Sequence, residues 1–265
     1  MSDDQAAAPD PETDRALGKM SFMEHLGELR TRIMWSLVSA GVGIIIAFFI
    51  TDPAMRFISR PLLSMKTELV FTSPTEAFWT WMKVAMVLGI FISMPGILFQ
   101  VWKFVSPGLH EHEKKYAAPF IIIGSLLFLI GGAFAMLIII PYASTFLVTF
   151  GQEKGWKPML TVSSYTDFVI KFALAFGVVF ELPVVITILS LIGVVTPQFL
   201  SKNRKYAILV NFIIAAILTP TPDMINQTLM AGPLCILYEV GIICARLATR
   251  KRKTATPPVE PASRP

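Results

Sequence analysis

Six long apolar runs constrain the fold of this chain more than any other feature of its sequence. They lie roughly at 33–50, 78–102, 119–142, 166–192, 207–219 and 227–245. About 20 apolar residues in a helix cross the hydrocarbon core of a bilayer, and most of the runs approach that length. The segment 121–140 is apolar on every face, which excludes the alternating strands of a membrane barrel. The pattern predicts an all-α polytopic membrane protein with six transmembrane helices.

The composition excludes a soluble globular domain. Hydrophobic residues make up 54% of the sequence and charged residues 15%, and the mean hydropathy is +0.63, far from the balance of soluble proteins. We predict a disordered cytoplasmic tail at 1–19, a six-helix membrane domain at 20–246, and a basic, proline-rich cytoplasmic tail at 247–265. Neither tail can bury enough apolar surface to fold.

The distribution of lysine and arginine predicts the orientation of the chain. Sixteen of the 23 lie in the two tails and in the loops 103–118 and 193–206, whereas five lie in the loops on the other side. The remaining two, Lys83 and Lys171, lie inside runs, where long side chains can reach the interface. Because cytoplasmic loops carry the excess of positive charge, both termini are expected in the cytoplasm. The net charge of +5 follows from this asymmetry and does not indicate nucleic-acid binding.

The sequence contains no pattern typical of an enzyme or a metal site. Cys235 and Cys244 lie nine residues apart in one run, a separation that a disulfide cannot bridge along a straight helix. His110 and His112 are only two residues apart, so a metal site there is the weaker interpretation. A glycine-rich phosphate loop and a nucleophile elbow are both missing. We expect no enzymatic activity, no metal and no cofactor.

A dense amphipathic segment, FMEHLGELRTR at 22–32, precedes the first run. Its apolar residues recur at helical spacing, while Glu28, Arg30 and Arg32 supply charge beside the lipid surface. Two interpretations remain open at this point. The segment is either an interfacial anchor that orients the first span or a binding site presented at the membrane surface.

The fourth run contains an acid, Glu181, near its middle. An ionisable group at that depth is costly unless it faces protein, water or a partner. Pro183 removes a backbone donor and predicts a kink. We weigh two roles for Glu181: a functional group at the bottom of a cavity, or a protonated carboxyl hydrogen-bonded to a neighbouring helix. Lys171, in the same run, is expected to pair with Asp167 one turn earlier.

The last two runs are short. The 13 residues of 207–219 extend about 20 Å as a helix, less than the about 30 Å of the hydrocarbon core. The hairpin that they begin is expected to thin the bilayer or to stop inside it. Asp223 and Gln227, near the start of the sixth helix, suit helix caps. The first outer loop, which contains Pro61, is expected to cover the mouth of a cavity.

Five motifs in collinear order resemble the TatC family, the large multi-spanning subunit of the twin-arginine protein translocase. They are HLGELRTRI before the first run, SPTEAF before the second, QVWKFVSPGLHEHEKK after it, AFGVVFELPV in the fourth run, and LTPTPDMINQ after the fifth. The resemblance covers about residues 20–246. It departs in one turn, where TPTPD has one residue more than the common TPPD form.

The resemblance implies a cupped, concave arrangement of six helices in the cell inner membrane, which binds the signal peptides of folded cargo proteins at the cytoplasmic face. It implies that Glu28 and Glu113 bind the paired arginines of these peptides. The chemistry agrees, because planar guanidinia need carboxylates that accept paired hydrogen bonds. Arg30 and Phe104 match further positions that shape this site.

The resemblance also implies residues outside the arginine site and a set of partners. Glu181, Asp223 and Gln227 match polar positions on or near the concave face, and Pro61 matches a proline of the periplasmic cap. The implied partners are twin-arginine signal peptides, single-span subunits of the TatA and TatB type, membrane lipids and further copies of the chain. The proton gradient is expected to drive transport, because the sequence has no nucleotide site.

The main alternative is a proton-coupled small-solute transporter built around Glu181. Such transporters have internal repeats with paired broken helices, and no convincing repeat relates the halves of this chain. An intramembrane hydrolase would need a catalytic partner for Glu181, which the sequence does not provide. We therefore expect the core receptor subunit of the twin-arginine translocation system.

Overall fold

The computed structural model describes residues 22–64, 69–108, 117–218 and 224–255, most of them helical. The helices are α1 (Phe22–Phe48), α2 (Thr51–Ser64), α3 (Pro74–Val105), α4 (Ala117–Phe134), α5 (Ile140–Glu153), α6 (Val162–Phe180), α7 (Leu182–Leu191), α8 (Pro197–Lys202), α9 (Arg204–Leu218) and α10 (Met224–Ala255). Two short strands, β1 (Leu69–Val70) and β2 (Leu160–Thr161), pair in parallel. The predicted tail at 1–19 lies outside the described residues.

Five stretches of the described helices are long and apolar enough to cross a membrane. They are Met23–Phe48, Pro74–Val105, Ala117–Glu153, Val162–Leu191 and Gln227–Thr249. The remaining predicted span is α9, whose 15 residues extend about 22 Å, so the prediction of a short fifth helix is confirmed. The sixth helix is longer than its apolar run, because α10 has 32 residues. Its end at Ala255 makes the first part of the predicted C-terminal tail helical.

Two of the membrane spans are interrupted where a proline removes a backbone donor. Between α4 and α5 the helix widens into a π-helical turn at Ala135–Ile139, and the Ile140 amide donates to the Ala135 carbonyl, five residues earlier. Pro141 follows directly and has no N–H to donate. Between α6 and α7 the helix breaks at Glu181, two residues before Pro183. The fourth span is thus broken at the position where the sequence predicted a kink.

Helices α1 and α3 pack closely along most of their length because glycines face each other across the interface. A Cβ atom added at Gly89 would lie 2.6 Å from the Cα of Ile44, and one added at Gly43 would meet the Gly89 carbonyl. Small residues let helix backbones approach in this way. The pairing fixes the start of α1 beside the end of α3. This end of the bundle is termed the N-terminal face, and the other end the opposite face.

At the opposite face, a residue in the first turn of α3 connects α3 to α6. The Glu76 carboxylate accepts hydrogen bonds from the Thr72 amide at 2.7 Å and, across the fold, from the Ser163 amide at 3.0 Å. One acid therefore links the residue that precedes the N-cap of α3 to an amide in the first turn of α6. No role was predicted for Glu76, although it lies in the quoted SPTEAF motif.

Helix α2 covers part of the same face. Its residues Ile58 and Leu62 are buried in the main core, and the Tyr165 hydroxyl donates to the Ile58 carbonyl at 3.1 Å. Pro61 lies inside this helix. The loop that the sequence predicted to be a cap is thus a helix packed on the bundle, and the capping role of Pro61 stays a prediction.

Candidate functional site

The N-terminal face brings together Glu28 from α1 and Phe104 from the end of α3. Glu28 is largely buried, with its side chain 15% exposed, and its Oε1 accepts from the Arg32 guanidinium at 3.0 Å. The two residues are one helical turn apart, a favourable spacing for an ion pair. From the sequence, Arg32 was expected to hold the helix at the lipid surface. In the structure Arg32 instead holds the carboxylate in place.

Three polar atoms in this region are shielded from solvent and have no hydrogen-bond partner in the described part of the chain. They are Glu28 Oε2, Arg32 Nε and Gln100 Oε1. Gln100 lies one turn after Gly96, whose missing Cβ would meet the Ser39 side chain of α1, so Gln100 shares the face of α3 that meets α1. Unsatisfied buried polar atoms are rare and costly. In the described part of the chain, two acceptors and one donor in this region therefore remain without a partner.

An aromatic contact joins α1 to the end of α3 beside Glu28. The His25 and Phe104 rings stack with their centroids 4.4 Å apart and their planes 20° from parallel. Phe104 is therefore adjacent to the helix that carries Glu28, three residues after His25. Arg30 is exposed on the same helix. His25 and Gln100 were not predicted as residues of this region, although both lie in the quoted motifs, because neither motif indicates which of its residues face each other.

Glu113, the second predicted acid, lies outside the described residues, and so does Asp223. The other predicted polar residue of the last hairpin, Gln227, lies near the start of α10 and contacts α9. Its Nε2 donates to the Phe212 carbonyl of α9 at 3.1 Å. Nearby, the Asn211 amide of α9 donates to the Cys235 sulfur at 3.5 Å. Gln227 therefore joins the two helices of the short hairpin.

Glu181 lies at the break between α6 and α7 and is only 7% exposed. Neither carboxyl oxygen has a hydrogen-bond partner among the described residues, so the predicted bond to a neighbouring helix is not formed there. The carboxyl packs against α4, and a Cβ added at Gly124 would lie 3.1 Å from Glu181 Oε2 and 2.7 Å from a methyl of Leu98. The Glu181 carboxyl therefore occupies space that a side chain at position 124 would fill.

Replacing Glu181 with leucine is expected to raise the stability of the folded chain. A buried acceptor without a partner carries a desolvation penalty of about 1–3 kcal/mol, which an apolar side chain of similar size removes. The measurement is the thermal unfolding midpoint of the purified chain in detergent, with Glu153→Leu as the control at an exposed acid. A lower midpoint for Glu181→Leu alone would show that the acid has a stabilising partner.

The predicted pair between Lys171 and Asp167 is wrong. The Asp167 carboxylate accepts two bonds from Lys83 of α3, with Nζ 2.8 Å from Oδ1 and 3.0 Å from Oδ2. The tertiary fold brings this cation close, and sequence spacing alone could not identify it. Lys171 is exposed and forms no salt bridge within the described ranges.

Two apolar grooves open on the bundle. The first has a volume of about 460 Å³ and lies between α2, α3, α4 and α6. The second, of about 420 Å³, lies between α4, α7 and α10, with Trp102 at the end of α3. Both linings consist almost entirely of apolar atoms. In the described residues no three His, Cys, Asp or Glu side chains come together as metal ligands.

Comparison with known proteins gives consistent matches over most of the chain. The profile of the family described as Sec-independent protein translocase protein (TatC) matches residues 24–233. The Sec-independent protein translocase protein TatC of Carboxydothermus hydrogenoformans is 44% identical over 232 residues, which cover 88% of this chain and 95% of that protein. The TatC of Koribacter versatilis is 39% identical over 253 residues, covering 92% of this chain and 93% of that protein.

A solved structure shares the fold. The crystal structure described as the twin arginine translocase receptor TatC superposes with a TM-score of 0.72 at 40% sequence identity. The match covers 85% of this chain and 100% of that one. The arrangement of helices described above is therefore that of a known membrane receptor.

Proposed function

The chain belongs to the TatC family of Sec-independent protein translocase proteins, and from this premise we propose that it is the receptor for twin-arginine signal peptides of folded cargo. It is a multi-pass membrane protein and a transport subunit. We propose further that it lies in the inner membrane with both termini in the cytoplasm, which makes the N-terminal face the cytoplasmic one. The distribution of lysine and arginine supports this orientation.

The observation that carries the proposal is the half-satisfied carboxylate of Glu28. One oxygen is held by Arg32 and the other is an acceptor without a partner in the described part of the chain. A carboxylate has lone pairs for two guanidinia. An incoming arginine reaches Oε2 once the side chains that shield it move aside, and Arg32 keeps the carboxylate in the required rotamer meanwhile.

The second arginine of the signal needs a second acid, and Glu113 is our proposal for it. Phe104 and Arg30 flank the same surface, Phe104 through its stack on His25. An aromatic ring beside the site can also receive a guanidinium on its face. A lysine offers a point charge without a planar fork of donors, so this geometry favours arginine.

The apolar part of the signal peptide is proposed to follow the grooves of the bundle toward Glu181. Groove walls with almost no polar atoms suit an apolar segment better than a polar solute, so the structure gives no support to a small-solute transporter. Single-span subunits of the TatA and TatB type and further copies of the chain complete the proposed translocase, with the proton gradient as the energy source. Gln227 and Asp223 are proposed to contribute to the polar surface around the short hairpin.

The proposal is tested by binding of a labelled peptide with paired arginines and of its paired-lysine counterpart to the purified full chain. We expect the arginine peptide to bind about tenfold more tightly, since hydrogen bonds to charged groups carry the difference. Fluorescence anisotropy in detergent measures both affinities. Equal affinity for the two peptides would overturn the receptor assignment.

A further inference from the structure

A groove of about 680 Å³ lies between α6 and the end of α9, near the opposite face. Helix α6 lines it with a polar row, Ser164, Asp167 and Lys171, and with the rings of Phe168 and Phe172. The last two residues of α9 form the other wall. The polar residues recur at intervals of three and four, so they lie on one helix face. The groove is therefore amphipathic, unlike the two apolar grooves.

The charged side chains at this groove carry an excess of positive charge. The carboxylate of Asp167 is bound through both oxygens to Lys83. Lys171, one turn further along α6, is exposed and forms no salt bridge to any acid that the structure describes. The three groups together carry one net positive charge, and the ammonium of Lys171 is the group that remains for an anion.

The short fifth helix explains how an exposed lysine is tolerated within a membrane span. Lys171 lies nine residues into α6, or about 14 Å along its axis. Helix α9 ends at Leu218, which lines the same groove. The long side chain of Lys171 can therefore extend along the groove, past the last described turn of α9, toward the polar interface of the membrane.

We propose that this groove binds an anionic phospholipid of the leaflet at the opposite face. The Lys171 ammonium donates to the phosphate, and Phe168, Phe172 and the end of α9 contact the start of an acyl chain. An ammonium with three donors suits phosphate oxygens, and the net positive charge of the groove complements the anion. The pairing of Asp167 with Lys83 keeps its carboxylate from repelling the lipid. The site needs no signal peptide, so it is independent of the receptor function.

Native mass spectrometry of the purified full chain tests the proposal, with phosphatidylglycerol and phosphatidylcholine added at equal concentration. We expect the wild type to retain phosphatidylglycerol preferentially. Lys171→Gln is expected to lower this retention about fivefold, the effect of removing one lysine near an anionic surface. The matched control is Lys157→Gln, an exposed lysine between α5 and β2, which is expected to retain the lipid as the wild type does. Lys171→Arg, which keeps the positive charge, is also expected to retain phosphatidylglycerol as the wild type does.

Equal retention of the two lipids by the wild type would overturn the proposal. Three further results would also overturn it. The first is an equal loss of phosphatidylglycerol in Lys171→Gln and Lys157→Gln. The second is displacement of the lipid by inorganic phosphate at the same concentration, which would make the groove a simple anion site. The third is a photocrosslink from position 217 to a protein in native membranes that disappears in Lys171→Gln, which would assign the groove to a partner helix.

Discussion

Replacing Glu28 with glutamine is expected to weaken binding of a twin-arginine peptide by about 10- to 100-fold. Hydrogen bonds to a charged group contribute about 1.5–3 kcal/mol each, and glutamine keeps the size of the side chain while losing the charge. The same change leaves the Arg32 guanidinium, now bound to Glu28 at 3.0 Å, without its counter-ion. Arg32 would then repel the incoming arginine. Titration of the labelled peptide against the purified chain measures the effect.

The matched control is Glu24→Gln, which removes the same charge from the same helix at an exposed position. Exposed charges contribute little to specific binding, so this variant is expected to keep its affinity within about twofold. A similar loss in both variants would mean that the peptide responds to the general charge of the surface. Undiminished binding by Glu28→Gln would remove Glu28 from the site.

The spans and the break in the fourth span follow directly from the sequence. A run of 13 apolar residues is too short to cross the hydrocarbon core as a helix, and this is why the short α9 could be predicted from its run alone. A proline lacks a backbone donor wherever it lies, so the break beside Pro183 was equally predictable. Both properties depend on residues close together in the chain.

The contacts of the site depend on residues far apart in the chain, and the sequence does not determine them by itself. Asp167 was expected to pair with Lys171 at helical spacing, yet Lys83 approaches from α3 and takes both oxygens. The stack of His25 on Phe104 likewise requires the register of α1 against α3. That register is set by close approach of backbones at glycines, which a hydrophobic pattern does not reveal.

Replacing Gly89 with alanine is expected to lower the stability of the chain markedly. The added Cβ would lie 2.6 Å from the Cα of Ile44 and 2.7 Å from its backbone nitrogen. Backbone atoms cannot rotate away as a side chain can, so α1 must move off α3. Overpacking of this kind costs about 1–3 kcal/mol. The thermal unfolding midpoint in detergent is the measurement, and the affinity for the twin-arginine peptide should fall with it, because Glu28 and Phe104 lie on the two separated helices.

Gly41→Ala is the matched control, since it is the same change in the same helix pair with no atom within 4 Å of the added Cβ. Alanine is favoured over glycine in a helix by about 1 kcal/mol, so this variant is expected to unfold at or above the temperature of the wild type and to bind the peptide normally. A lower unfolding midpoint for Gly89→Ala, together with an unchanged or higher one for Gly41→Ala, would separate the effect of packing from that of helix propensity. If both variants lose affinity for the peptide to the same extent, the close α1–α3 contact at Gly89 is not what positions the site.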